Sequence, residues 1–135
     1  REKKMTVLVM FIDLDRLKYI NDTFGHEYGD FAIVSIAKAM LKHCDADAIA
    51  ARTGGDEFIV LECAKDEESG RVLAQKIRTE LSKTQRAMQL PFDLSASIGA
   101  VVAHPGEENV LESYVKRAEM LMYEEKAEKK VSRDS

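Results

Sequence analysis

The run Thr6-Val7-Leu8-Val9-Met10-Phe11-Ile12 constrains the fold more than any other stretch of the chain. It is uncharged, continuous and rich in β-branched residues, so it reads as a central strand buried on both faces. It ends abruptly in Asp13-Leu14-Asp15, which places carboxylates at one edge of the most apolar element.

The remaining elements follow from periodicity. Arg16 to Phe24 is mixed and reads as a short helix before Gly25; from Gly29-Asp30 onward, Phe31, Val34, Ala37 and Leu41 recur at helical spacing. Ala48 to Thr53 and Glu57 to Cys63 read as strands around Gly54-Gly55, a pair suited to the φ > 0 positions of a type I′ turn. Asp66 suits the cap of a helix bearing Leu73, Ile77 and Leu81 on one face. Phe92 to Ala103 alternates through Leu94, Ala96, Ile98 and Ala100 as a fourth strand. The last helix spans Val110 to Lys130, with Leu111, Tyr114, Val115, Ala118, Leu121 and Met122 as its stripe, and residues 131–135 form a frayed polar tail. The order β-α-β-β-α-β-α begins with the split βαβ arrangement of ferredoxin-like folds. Right-handed crossovers put strand one mid-sheet, antiparallel to strand three.

Composition sets the outer limits. The chain's 135 residues make one domain, expected over residues 1–130, and 45% hydrophobic content suffices for a core. A net charge of −4 gives no global field for nucleic acid. Cys44 and Cys63 are too few for a disulfide framework or a zinc site and read as reduced, semi-buried thiols of a cytoplasmic protein. No apolar run approaches the ~20 residues of a membrane span. The start at Arg1, almost directly before a strand, is what a piece of a longer protein would show.

If strands one and three are antiparallel neighbours, Asp13 at the end of one meets Asp56 and Glu57 at the beginning of the other. Clustered carboxylates repel unless a cation or proton intervenes. Hard oxygen ligands suit Mg²⁺ or Mn²⁺, and Mg²⁺ completes one or two carboxylates with water and substrate phosphate. A nucleotide–metal site is the inference. The alternative is that Asp13, Asp15, Asp56 and Glu57 are solvated acids at strand ends.

Two motifs carry a resemblance. Arg52-Thr53-Gly54-Gly55-Asp56-Glu57-Phe58 contains the signature of GGDEF domains, and Asp13-Leu14-Asp15-Arg16-Leu17-Lys18-Tyr19-Ile20-Asn21-Asp22-Thr23-Phe24-Gly25-His26-Glu27-Tyr28-Gly29-Asp30 resembles the family's D-x-D-x-F-K-x-x-N-D-x-x-G-H-x-x-G-D, with Leu17 in place of Phe. The resemblance implies an α/β (α+β) fold. This is a ferredoxin-like βαββαβ palm with a mostly antiparallel central sheet flanked by helices, plus a C-terminal helix. It implies a diguanylate cyclase that condenses two GTP into cyclic di-GMP with release of two pyrophosphates, in a metal-dependent homodimer that forms at least transiently. A sensor domain, and any membrane anchor, would lie upstream in the parent protein. The domain itself contacts neither membrane nor nucleic acid.

The resemblance also implies residue roles. Asp13, Asp56 and the Leu14 carbonyl ligate Mg²⁺ or Mn²⁺; Asp56 assists deprotonation of the ribose 3′-hydroxyl, and Glu57 contacts metal or ribose. Backbone N–H groups from Asp15 to Lys18, Leu17 included, cradle phosphate at a helix start. The Lys18 side chain either helps or is an exposed helix cation. Asn21 and Asp30 read the guanine edge, the alternatives being a turn and a helix cap. His26 is structural. Lys126 and Lys130, four apart on one helix face, hold phosphates; family members carry Arg where Lys130 stands and Gly where Lys129 stands. A catalytically degenerate GTP-binding module that regulates a neighbouring domain is the first rival, and a palm nucleotidyltransferase acting on another nucleotide is the second.

The chain departs from the family in two further places. The pattern D-x-L-T-x-L-x-N-R, carried by relatives ahead of the first strand, is absent from the sequence, and this is expected to bear on the activity of the stretch. The inhibitory product site R-x-x-D is replaced by Asp45-Ala46-Asp47-Ala48, without the Arg or the Asp. Excess cyclic di-GMP is therefore expected to leave the initial rate nearly unchanged, apart from active-site competition. Strong noncompetitive inhibition in a steady-state assay would contradict this.

Overall fold

The strand that opens the chain, β1 (Val7–Leu14), sits at the middle of a four-stranded sheet. The computed structural model describes residues 6–104 and 111–134. Among these residues, β1 is followed by α1 (Leu17–Phe24), α2 (His26–His43), β2 (Ile49–Arg52), β3 (Glu57–Cys63), α3 (Ser69–Ala87), β4 (Ala96–Ala103) and α4 (Leu111–Asp134). The strand order is β2-β3-β1-β4, and each neighbouring pair is antiparallel. This is the expected α+β palm-like arrangement.

The alternation of β1 decides what lies on each face. Leu8, Met10, Ile12 and Leu14 point into a core shared with Ile36 of α2 and with Leu73, Ile77 and Leu81 of α3. Val9 and Phe11 point the other way, against Tyr114, Ala118 and Met122 of α4. Asp13 and Asp15 have the parity of Val9 and Phe11, so the strand's apolar alternation hands both carboxylates to the α4 side.

Several local details differ from expectation. The β2–β3 connection spans residues 53–56, and neither Gly54 nor Gly55 takes a left-handed φ, so it is no type I′ turn. Instead Thr53 N–H donates to the Glu57 carbonyl at 2.8 Å, and the Arg52 side chain donates to the Gly54 and Gly55 carbonyls. The second helix starts at His26, because Gly25 at φ 100° both ends α1 and opens α2. Asp66 does not cap α3 directly; its carboxylate accepts from Glu68 N–H at 2.8 Å in the turn before it. Pairing of β4 begins at Ala96, while Phe92 and Leu94 are buried without strand pairing. Cys63 is exposed rather than semi-buried. Helix α4 runs on to Asp134; its expected start at Val110 lies outside the described residues.

Contact between α4 and the sheet is closest at Gly99. A Cβ there would lie 2.1 Å from the Ala118 carbonyl oxygen and 2.3 Å from the Met122 nitrogen. These are backbone atoms of a helix and cannot give way as a side-chain tip could. Glu125 then reaches round the outer strand: it accepts from Ile98 N–H at 2.6 Å and pairs with Arg78 of α3 at 2.9 Å. An edge N–H of β4 is thereby satisfied, and the helices on opposite faces are strapped together. Gly99→Ala is expected to cost about 3 kcal/mol or more in urea-induced unfolding, because the added methyl must lift α4 off the sheet. Wild-type stability in this variant would show that α4 is not seated where described.

Candidate functional site

The end of β1 meets the beginning of β3 in register. Asp13 pairs with Glu57, and Leu14 N–H donates to the Asp56 carbonyl at 2.9 Å. Asp13 and Asp56, remote in sequence, therefore converge, as the antiparallel pairing requires. Asp13 is only 6% exposed, and its Oδ1 accepts no hydrogen bond. Burial, and then the Asp56 carboxylate, push its carboxyl up to about 7, with the Lys126 ammonium acting the other way.

Asp15, also buried, is in the opposite condition. It accepts from Ser95 Oγ and Ser97 Oγ, each at 2.7 Å, and from Lys129 Nζ at 2.7 Å. Burial alone would raise its pKa, but Lys129 and the two hydroxyls outweigh it and hold the carboxyl below its usual range. Lys129 also donates to the Ala96 carbonyl at 2.7 Å.

Helix α4 supplies the other side of the site. Lys126 Nζ lies 3.3 Å from the Leu14 carbonyl oxygen, 3.4 Å from Asp13 Oδ1 and 3.5 Å from Asp15 Oδ1. Lys130 is exposed, so the two lysines that reach the strand end are Lys126 and Lys129. Helix phase explains the difference: Lys129 is seven residues past buried Met122, close to two full turns, whereas Lys130 has rotated onward. Tyr123 Oη donates to Glu57 Oε2 at 3.2 Å, and Thr53 Oγ1 donates to Glu57 Oε1 at 3.3 Å, so Glu57 is held from both sides. Burial, then Glu57, raise the Tyr123 pKa, which keeps the phenol a donor.

The candidates on the opposite face are arranged differently. Arg16 is left-handed at φ 59°, ψ 38° and directly precedes α1, whose first-turn N–H groups at Leu17 and Lys18 have no intrahelical acceptor. Asp15 N–H is committed to the Ser95 carbonyl at 3.0 Å, so the expected cradle narrows to Arg16–Lys18. The Lys18 side chain points into solvent and pairs with Asp22 at 2.7 Å. Asn21 packs on Gly29, where a Cβ would fall 1.8 Å from Asn21 Oδ1, and this buried oxygen accepts no hydrogen bond. Asp30 is exposed within the first turns of α2; the N-cap position is Gly25, so Asp30 is not a cap.

The donor set fits a hard divalent cation. A buried carboxylate oxygen that accepts no hydrogen bond, a second carboxylate beside it and the Leu14 carbonyl lie together at one strand end. Among the described residues no group of three His, Cys, Asp or Glu side chains could hold a metal alone. Mg²⁺ does not need one, since it takes one or two carboxylates and fills its shell with water and phosphate.

Comparison with known proteins places this geometry. The sequence model of the family described as "Diguanylate cyclase, GGDEF domain" matches residues 1–132. The chain belongs to the GGDEF domain family. Diguanylate cyclase A of Treponema denticola is 35% identical to it over 127 residues, which are 93% of this chain and 34% of that protein. The bifunctional diguanylate cyclase/cyclic di-GMP phosphodiesterase MucR of Pseudomonas aeruginosa is 32% identical over 118 residues, 87% of this chain and 17% of that protein. The chain therefore spans about a third of the length of one of these curated relatives and less of the other. Among solved structures, an EAL/GGDEF domain protein from M. capsulatus aligns with a TM-score of 0.72 at 32% identity, covering 92% of this chain and 80% of that one. No described helix of this GGDEF domain is long and apolar enough to cross a membrane.

The raised Asp13 value yields a pH prediction for the metal-free domain. Its folded pKa lies above the unfolded one, so the cost of ionising it is absent below about pH 4 and complete above about pH 7. In EDTA at pH 8, Asp13→Asn is expected to be more stable than wild type by roughly 2–4 kcal/mol, the gap closing as pH falls toward 4. Urea unfolding across that range checks it, and a gap independent of pH would contradict it.

Proposed function

We propose that this GGDEF domain condenses two GTP molecules into cyclic di-GMP, releasing two pyrophosphates, at a metal-dependent site completed by a second copy of the domain. The observation that carries the reading is Asp13 Oδ1, a buried oxygen without a hydrogen bond, beside Asp56 and the Leu14 carbonyl. Asp13, Leu14 and Asp56 would hold Mg²⁺ or Mn²⁺. A bound divalent cation would polarise the ribose 3′-hydroxyl and neutralise charge on the leaving pyrophosphate.

The chain's own groups have distinct tasks in this reading. Asp56 assists removal of the 3′-hydroxyl proton, and Glu57, oriented by Tyr123 and Thr53, faces the same end of the sheet. The Arg16–Lys18 N–H groups cradle phosphate, with Lys126 as the nearest side-chain cation and Lys130 exposed at the rim. Asn21 Oδ1, buried and without a donor, is suited to accept from the guanine amine, with Asp30, next in the chain to the Gly29 on which Asn21 packs, accepting from the ring N–H. One domain binds one GTP, so both bonds of the product form only when two domains face each other and each 3′-hydroxyl attacks the other's α-phosphorus. The domain works in the cytoplasm under an upstream sensor domain.

A second reading is a GTP-binding module that regulates an attached domain without turnover. It draws support from Lys130, exposed where the family carries Arg, and from similarity to a bifunctional relative. Mass spectrometry separates the two. Concentrated protein incubated with GTP and Mg²⁺ is expected to yield cyclic di-GMP, and Asp56→Ala is expected to reduce the yield at least about 100-fold. Tight GTP binding without product, in this chain and in one extended upstream, would favour the regulatory module.

A further inference from the structure

Lys126 sits on groups assigned above to the metal. Its ammonium touches the Leu14 carbonyl oxygen at 3.3 Å and Asp13 Oδ1 at 3.4 Å, the oxygens that would ligate a divalent cation. It shares this corner with Lys129, yet the two are held differently. Lys129 makes two contacts of 2.7 Å, to Asp15 and the Ala96 carbonyl, both part of the sheet's own wiring. Lys126 makes three contacts between 3.3 and 3.5 Å, and its Asp13 partner oxygen still accepts no directed hydrogen bond. Lys129 is the fixed partner of Asp15, and Lys126 is loosely held over a site that a better cation would fill.

Building on the metal–nucleotide reading, we infer that Lys126 is a resident counter-ion of the Asp13 corner, standing at the cation position until metal and nucleotide arrive together. The charge balance supports this. Without metal, the Lys126 ammonium offsets the Asp13 carboxylate at 3.4 Å, which the neighbouring Asp56 charge opposes, and stands 3.5 Å from Asp15. An incoming divalent ion has to displace it, and a displaced ammonium needs a new anion. The nucleotide's phosphates provide one within reach of the same side chain. Metal alone is thus opposed by Lys126, whereas metal with nucleotide is favoured by it, which is a coupling free energy between two ligands located in one side chain. A lysine that only bound phosphate would leave metal affinity of the nucleotide-free protein unchanged.

The test measures Mn²⁺ binding to the nucleotide-free protein by depletion of the free-ion electron paramagnetic resonance signal. Lys126→Met is expected to bind Mn²⁺ at least about tenfold more tightly than wild type, because the competing cation is gone. Lys126→Arg, which keeps the charge, is expected to stay within about threefold of wild type. The double variant Asp13→Asn/Lys126→Met is expected to lose the gain. Thermal melting confirms that each variant is folded, and Lys126→Gln replaces the methionine variant if that one is not. If the neutral variants bind Mn²⁺ no better than wild type while wild type still makes cyclic di-GMP, the counter-ion role is overturned and the cyclase reading stands. If no variant binds Mn²⁺ and no product forms with GTP, both fall.

Discussion

Two carboxylates nearly removed from water at the end of the central strand govern this domain. Asp13 and Asp15 leave β1 on the same face, each about 5% exposed, and the fold has to answer both charges. For Asp15 the answer is internal: two serine hydroxyls of the β4 side and Lys129. For Asp13 it is incomplete, with one oxygen that accepts no hydrogen bond, only the Lys126 ammonium at 3.4 Å, and Asp56 adding charge of the same sign. A group left unsatisfied in this way costs stability unless something from outside completes it. The contrast between adjacent sites separates a carboxylate satisfied within the fold from one left without a hydrogen bond more clearly than either residue's type does.

The surrounding architecture serves that difference. Sheet order brings β3 beside β1, so the hairpin acids arrive at the right end. The other face is filled by apolar side chains from α2 and α3, which leaves α4 as the element able to send cations to the carboxylates. The site is thus assembled from three parts: a strand end, a hairpin and the far portion of a C-terminal helix.

Much of this was legible in the chain itself. The continuous apolar run marked the central strand and placed Asp13 at its end. The meeting of Asp13 with Asp56 followed from antiparallel pairing alone. What was missed came from groups whose roles depend on helix phase and close approach. Lys129 looked like a loss at a glycine position, yet counting two turns from Met122 would have turned it toward the sheet. Tyr123, Ser95 and Ser97 carry no catalytic signature and became visible only through their partners. The glycine pair was misjudged because Arg52 and the 53–57 backbone bond hold that loop, work that a residue-type rule for tight turns does not anticipate. Gly99 gave no signal at all, since nothing in a lone glycine within a strand says that a helix backbone will rest on it.

That resting point has a mechanical meaning. A helix touching a sheet backbone-to-backbone, with no side chain between, has a fulcrum rather than a cushion. Lys126 lies four residues beyond Met122, about 6 Å along the axis. A tilt of α4 by about 10° over Gly99 would carry the base of that lysine by about 1 Å. Glu125 and Lys129 pin the helix on either side of that lysine, so the fulcrum at Gly99 sets the height at which its ammonium stands over the strand end.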